Sequence, residues 1–175
     1  MKTLEKAKLK SNATKEICNT SLYDIEVNDI NGNPMSLANF KGKKIVFVNV
    51  ASKCGFTKQY NELQNLSDVF KDELVVIGTP CNQFGRQEPD NAAEIQEFCS
   101  INFGVKFPLT EKLNVKGKDQ HPLYKWLTSK KLNGKKNSSV KWNFQKYVID
   151  EKGALIDYYY SFTKPMSPKI TRHLK

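Results

Sequence analysis

The sequence predicts an α/β domain with a central mixed β-sheet flanked by helices, and three observations carry that prediction. Ile45-Val46-Phe47-Val48-Asn49-Val50 is an unbroken β-branched and aromatic run, the pattern of a strand buried on both faces. Leu74-Val75-Val76-Ile77-Gly78 is a second such run, and between the two Tyr60, Leu63, Leu66 and Phe70 recur at the spacing of an amphipathic helix. Strand, helix and strand in this order imply parallel pairing through a right-handed crossover. Further on, Phe144 to Asp150 and Ala154 to Tyr158 flank Glu151-Lys152-Gly153, which reads as an antiparallel hairpin with its Gly where positive φ is needed.

Taken in order, residues 1–20 form a polar, lysine-rich lead, and residues 21–175 form one domain, as expected for a chain of 175 residues. Ser21 to Ile25 reads as a short strand. Asn31-Gly32, with Val27 and Ile30 before it and Met35 and Leu37 after it, signals a hairpin turn. The central strand then runs into the turn Ala51 to Thr57 and a helix from Thr57 to Phe70, so Cys54 falls at a strand-to-helix junction. After the second strand comes a loop from Thr79 to Asp90. The next helix is opened by Asp90 or Asn91 as N-cap, with Ile95, Phe98 and Cys99 facing inward. Leu123 to Leu127 suggests another helix. A βαβ unit followed by a ββ hairpin, with helices around the sheet, is the thioredoxin-like arrangement.

Composition narrows the function classes. Hydrophobic residues at 39% and charged residues at 26% describe a chain that folds without staples. The net charge of +10, from 28 basic against 18 acidic residues, would suit an anionic partner. The lysines, however, are scattered or set among Asn, Ser and Gly, with no aromatic-interleaved motif. A solvated surface and no nucleic-acid partner are therefore expected. No run of about 18 apolar residues exists, so no membrane span is expected. The lead lacks the apolar stretch of a secretory signal, which makes a cytoplasmic address the default.

Four cysteines, Cys18, Cys54, Cys81 and Cys99, are too few for a disulfide scaffold. They include no C-x-x-C pair and no histidine at zinc-finger spacing, so metal binding is disfavoured. Core thiols and redox thiols remain. Cys54 stands before a helix N-terminus, close in sequence to Lys53, in the loop leaving a central strand, where open α/β sheets place their sites. Position alone fits both a reactive thiol and a packed core cysteine. Thr57 occupies the place of the second cysteine of a dithiol motif, which excludes C-x-x-C exchange. As sole first nucleophile, Cys54 would most simply attack an O–O bond and become a sulfenic acid.

Three segments carry a resemblance: Val48-Asn49-Val50-Ala51-Ser52-Lys53-Cys54-Gly55-Phe56-Thr57, then Pro80-Cys81-Asn82-Gln83-Phe84-Gly85-Arg86-Gln87-Glu88-Pro89, then Lys141-Trp142-Asn143-Phe144. In order and spacing the chain resembles the glutathione peroxidase family, in its cysteine-containing, thioredoxin-dependent, monomeric branch. The resemblance implies a hydroperoxide reductase with Cys54 as the peroxidatic residue and Gln87, Trp142 and Asn143 completing a catalytic tetrad. Amide and indole N–H groups aimed at sulfur favour its anion and orient peroxide oxygen, which is a physical reason for such a set. It further implies that Cys99 resolves the Cys54 sulfenic acid as a disulfide, through local unwinding of its helix. Cys81 is expected to be a packed thiol and Cys18 an exposed one without a catalytic role. His121 and His173 are expected at the surface.

The segment between Trp126 and Trp142 is far shorter than the interface loop of the family's tetrameric branch, so a monomer is expected. No cofactor is called for. Thioredoxin is the expected reductant, and hydrogen peroxide and organic or lipid hydroperoxides the expected substrates. Three rivals stand beside this reading: a glutathione-dependent peroxidase, a peroxide sensor that hands oxidation to a partner thiol, and a polyanion-binding module whose binding would depend steeply on salt.

Overall fold

In the computed structural model, which describes residues 20–174, the first apolar run forms β1 (Lys44–Val50), buried from Ile45 to Val50. Helix α1 (Gln59–Val69) returns the chain to β2 (Leu74–Pro80), which pairs parallel with β1 from Lys44 opposite Leu74 to Val50 opposite Pro80. Then follow α2 (Ala92–Phe103), α3 (Pro122–Thr128), the short α4 (Lys130–Asn133), the hairpin β3 (Lys146–Ile149) and β4 (Leu155–Tyr159), and α5 (Pro168–Thr171). The sheet order is β2-β1-β3-β4, with β3 antiparallel to both of its neighbours. This is the thioredoxin-like mixed sheet that the order of elements predicts, and β1 lies inside it.

Alternation along β1 divides the core. Ile45 and Phe47 pack with Tyr124, Leu127 and Tyr147 on the face covered by α3. Val46, Val48 and Val50 pack with Tyr60, Leu63, Leu66, Ile95 and Cys99, on the face covered by α1 and α2. Each Val, Leu or Ile buried in this way contributes about 1.5–3 kcal/mol. Helix α2 is well delimited. Asn91 caps it in a reciprocal pair with Glu94, and Gly104 ends it at φ 59°, in the left-handed region. The β3–β4 turn is held by Asp150, which accepts from the backbone N–H groups of Lys152 and Ala154. Gly153 there has φ 84°, and a Cβ would meet the Tyr23 ring at 2.6 Å.

Three expectations need correction. Leu22–Asp24 is a 3-10 turn, not a strand, because Ser21 accepts from the Tyr23 N–H through its hydroxyl and from the Asp24 N–H through its carbonyl. Those local bonds satisfy the backbone before a sheet partner can. The Asn31-Gly32 turn forms, with Asp29 Oδ1 accepting from the Asn31 and Asn33 N–H groups, yet its hairpin is only a bridge from Asn28 to Pro34 outside the four-stranded sheet. The two histidines are half-buried. His121 caps α3 by accepting from the Leu123 N–H, and His173 shares a 2.7 Å hydrogen bond with the Tyr159 hydroxyl. Partial burial lowers the pKa of both rings.

The short helices α4 and α5 and the 3-10 turn Leu37–Phe40 leave no mark in the sequence, since elements of four residues show no periodicity. Residues 1–19, and with them nearly all of the predicted lead, lie outside the described residues. Among the described residues, no helix is long and apolar enough to cross a membrane.

Candidate active site

At the C-terminal end of β1 the chain passes over the sheet edge and folds back on itself around Thr57. The Thr57 hydroxyl donates to Ala51 O at 2.8 Å and accepts from the Cys54 N–H at 3.0 Å. The Thr57 N–H donates to Cys54 O at 3.1 Å. Overlapping turns, Gln59 N–H to Phe56 O and Tyr60 N–H to Thr57 O, carry the chain into α1, which therefore begins at Gln59 and not at Thr57. Cys54 is half-buried in this knot, and its sulfur accepts the Phe56 N–H at 3.4 Å. That contact gives the sulfur one backbone donor, at the N-terminal approach to α1. Lys53 adds nothing direct, because its exposed ammonium pairs with Asp90 at 3.0 Å.

The loop after β2 supplies the next group. Gly85 and Arg86 are both left-handed, at φ 64° and 53°, and for Arg86 that conformation is uncommon. This reversal sets Gln87 facing a third segment. Asn143 Nδ2 donates to Gln87 Oε1 at 2.9 Å, and the Lys53 N–H donates to Gln87 O at 3.0 Å, so the Cys54 loop, the Gln87 loop and the Asn143 segment are joined. Trp142 precedes Asn143 and lies 39% exposed, its ring 5.6 Å from that of Phe84. Neither the indole N–H nor Gln87 Nε2 has a partner among the described residues, so both remain available as donors.

What holds Trp142 and Asn143 in place is Asn49, the one polar side chain in the apolar part of β1. Its amide donates to Trp142 O at 3.0 Å and accepts from the Gln145 N–H at 3.1 Å, while its carbonyl accepts the Phe144 N–H at 2.6 Å. Phe144, at φ 63°, is held left-handed by these bonds. Ser161 donates to Asn143 O, and the buried Lys146 ammonium donates to Gln59 Oε1, Ser161 O and Thr163 O. Burial lowers the Lys146 ammonium to about 7, with the Glu62 charge opposing the fall. Sequence reasoning does not single out Asn49 or Lys146, although a polar residue inside an apolar strand is the signal that could find them.

Cys99 has the opposite surroundings. It sits on α2 at 1% exposure, among Tyr60, Ile95 and Phe107, and burial pushes its thiol up to about 11. Cys54, Cys81 and Cys99 are all free thiols. A groove of about 800 Å³, lined by Cys99, Ser100 and Gln96 among others, runs along α2, away from Gln87, Trp142 and Asn143. Cys81 is wholly buried and its sulfur accepts the Gln83 N–H at 3.5 Å, as a packed thiol would. Cys18 lies outside the described residues. One residue of the Gln87 loop given no role by sequence reasoning is Glu88, next to Gln87, which is wholly buried beside Ser52; burial raises its pKa and Ser52 opposes the rise.

Comparison with known proteins gives consistent findings. Residues 22–128 match the family described as glutathione peroxidase. The chain is 46% identical over 149 residues to the glutathione peroxidase-like peroxiredoxin HYR1 of Saccharomyces cerevisiae, covering 85% of this chain and 91% of that protein. It is 43% identical over 155 residues to the hydroperoxy fatty acid reductase gpx1 of Synechocystis, covering 84% and 90%. Among solved structures, Trgpx in its apo form superposes with a TM-score of 0.69 at 40% identity, covering 89% of this chain and 95% of that one.

Proposed function

The chain belongs to the glutathione peroxidase family and is a hydroperoxide reductase, and from that premise we propose that Cys54 is its peroxidatic residue, with Gln87, Trp142 and Asn143 as donors and Cys99 as the resolving thiol. The observation that carries this reading is the bonded Gln87–Asn143 amide pair, tied through Gln87 O to a loop whose cysteine sulfur already accepts a backbone N–H. In the first step the Cys54 thiolate attacks the terminal peroxide oxygen. The O–O bond breaks, sulfur keeps the terminal OH as sulfenic acid, and the departing alkoxide or hydroxide takes a proton from solvent and leaves as alcohol or water. The Gln87 and Trp142 N–H groups stabilise the charge that moves from sulfur to oxygen.

In the second step Cys99 attacks the sulfenic acid, releasing water and leaving a Cys54–Cys99 disulfide. On this cycle α2 opens locally to deliver a thiol now buried within it and to bring the two cysteines to disulfide geometry, with Cα atoms roughly 4.4–6.8 Å apart. An exposed disulfide on the surface of the fold suits a dithiol protein reductant of the thioredoxin type, with glutathione as the poorer donor. Organic and lipid hydroperoxides suit the open apolar rim, where Phe162, 85% exposed, meets Phe56 edge-on at 5.1 Å. The name of the Synechocystis relative supports the same substrate class. The chain is proposed to act as a monomer.

The test is peroxide consumption coupled to thioredoxin, thioredoxin reductase and NADPH, with glutathione replacing thioredoxin in a parallel series. Cys54→Ser is expected to lose activity by at least about 10³-fold with either reductant. Cys99→Ser is expected to reduce one equivalent of peroxide and then stall with thioredoxin. Full thioredoxin-driven turnover by Cys99→Ser would sink the two-cysteine cycle and leave Cys99 as packing.

A further inference from the structure

Lys146 is a buried charge to which the reaction scheme gives no task. It lies on β3 opposite Val48 of β1 and Tyr159 of β4, wholly buried, at a position where an apolar side chain would serve the core. Among the described residues no carboxylate stands within ion-pair distance of its ammonium. Burying an unpaired charge is costly, and an apolar residue of similar volume is often no less stable in such a place. What the ammonium does is gather three oxygens from two segments: Gln59 Oε1 at the start of α1, Ser161 O at 3.3 Å and Thr163 O at 2.6 Å. Gln59 Nε2 donates to the same Ser161 O at 2.7 Å, and the Thr163 N–H donates to Tyr160 O at 3.0 Å, closing a tight turn from Tyr160 to Thr163. Phe162 stands on that turn at 85% exposure, the most exposed large hydrophobic side chain among the described residues. Its ring meets Phe56, whose backbone N–H donates to the Cys54 sulfur. Apolar surface held out by a fixed turn beside a candidate active site marks a binding surface.

We propose that Lys146 is the positioning residue that sets the hydroperoxide preference, by holding the 160–163 turn so that Phe162 receives the hydrocarbon part of an organic hydroperoxide while Cys54 takes its terminal oxygen. The proposal deepens the reading above and rests on Cys54 as the peroxidatic residue. The link from ammonium to ring is short, because the two carbonyls that Lys146 holds, Ser161 O and Thr163 O, belong to the residues on either side of Phe162. Gln59 joins these bonds to the helix that the Cys54 loop enters, so turn and loop are fixed to one another. Phe162 and Phe56 form an edge-to-face pair. With Met166 and Pro168, Phe162 also lines an open groove of about 580 Å³ whose charged lining residues are Glu62, Lys164 and Lys169, which gives a hydrocarbon group room beyond the rings. Hydrogen peroxide has no such group and gains nothing from the contact, so the effect of Lys146 falls on the ratio between the two kinds of substrate. A mere loss of folded protein would lower both rates together and leave that ratio where it was.

The experiment oxidises the reduced protein with hydrogen peroxide and, separately, with cumene hydroperoxide, quenches at short times with an alkylating agent and reads Cys54 oxidation by mass spectrometry. The quantity compared is the rate constant for cumene hydroperoxide divided by that for hydrogen peroxide. Lys146→Met, which keeps the stem and removes the ammonium, is expected to lower this ratio about tenfold. Phe162→Ala is expected to lower it as much, and the double variant no further, since both act through one ring. Gln59→Ala, which takes one oxygen from the ammonium and one donor from Ser161 O, should lower it about threefold and gives a second reading if Lys146→Met does not fold. A wild-type ratio in folded Lys146→Met or, failing that, in Gln59→Ala, would overturn the proposal, as would a wild-type ratio in Phe162→Ala. Wild-type peroxide consumption by Cys54→Ser would instead remove the peroxidatic reading, and this proposal with it.

Discussion

The two cysteines assigned to one cycle sit on the same side of the sheet, yet their surroundings are opposite. Around Cys54 the contacts are polar and directional: a Thr57 clasp, a backbone N–H on sulfur, and the Asn49, Ser161 and Lys146 bonds that hold the facing segment. Around Cys99 they are mainly apolar, with the Tyr60 hydroxyl as the polar neighbour, inside a capped helix where burial raises the thiol pKa. On the proposed cycle, this difference suits one residue type to two tasks. A first nucleophile must be ready before substrate arrives, so its donors are built in. A resolving thiol must stay inert until the first step is complete, and burial in a segment that opens only transiently provides that delay.

The broadest check of this contrast is alkylation of the reduced native protein at pH 7. Cys54 is expected to react at least about 10³-fold faster than Cys99, read site by site by mass spectrometry; comparable rates would erase the distinction. The polar half is tested by Gln87→Ala, expected to slow Cys54 oxidation about 10²-fold, as for loss of one oxyanion donor, while leaving Cys99 labelling unchanged.

Apolar burial at Cys99 is tested by pH. Between the ordinary thiol value of 9.0 and the folded value of about 11, the unfolded chain has lost the Cys99 proton and the folded chain has not. The unfolded state therefore binds fewer protons and stability falls as pH rises through that window, by roughly 2–3 kcal/mol. Cys99→Ala starts less stable at pH 7 and should gain on the wild type by that amount by pH 11, measured by denaturant titration at each pH. The smallest effect concerns the opening itself. A Cβ at Gly104 would meet open space, but the backbone there is left-handed at φ 59°, so Gly104→Ala costs backbone strain alone, about 1 kcal/mol. Hydrogen exchange in α2 and Cys99 labelling should each quicken about fivefold.

Much of this was legible in the chain because it depended on local pattern. The apolar runs of β1 and β2, the spacing of Tyr60, Leu63 and Leu66, the capping residue before α2 and the turn at Gly153 each state their conformation within a few residues. Motif resemblance named Cys54, Gln87, Trp142, Asn143 and Cys99 as candidates, and their spacing located the loops that bear them. The strand expected at Ser21 failed on the same scale, where a serine cap outcompeted a weak apolar alternation.

What the sequence by itself determined was therefore the order and type of the elements and the residues able to do thiol chemistry, since helix, strand and turn preferences act between near neighbours. Only the tertiary structure decided that Asn49 anchors the Trp142 segment, that Asn143 bonds to Gln87 across 56 positions, and that Glu88, beside Gln87, is wholly buried. Those relations depend on which side chains share a space once the sheet has closed, and burial and hydrogen-bond satisfaction exist only between segments the chain keeps far apart.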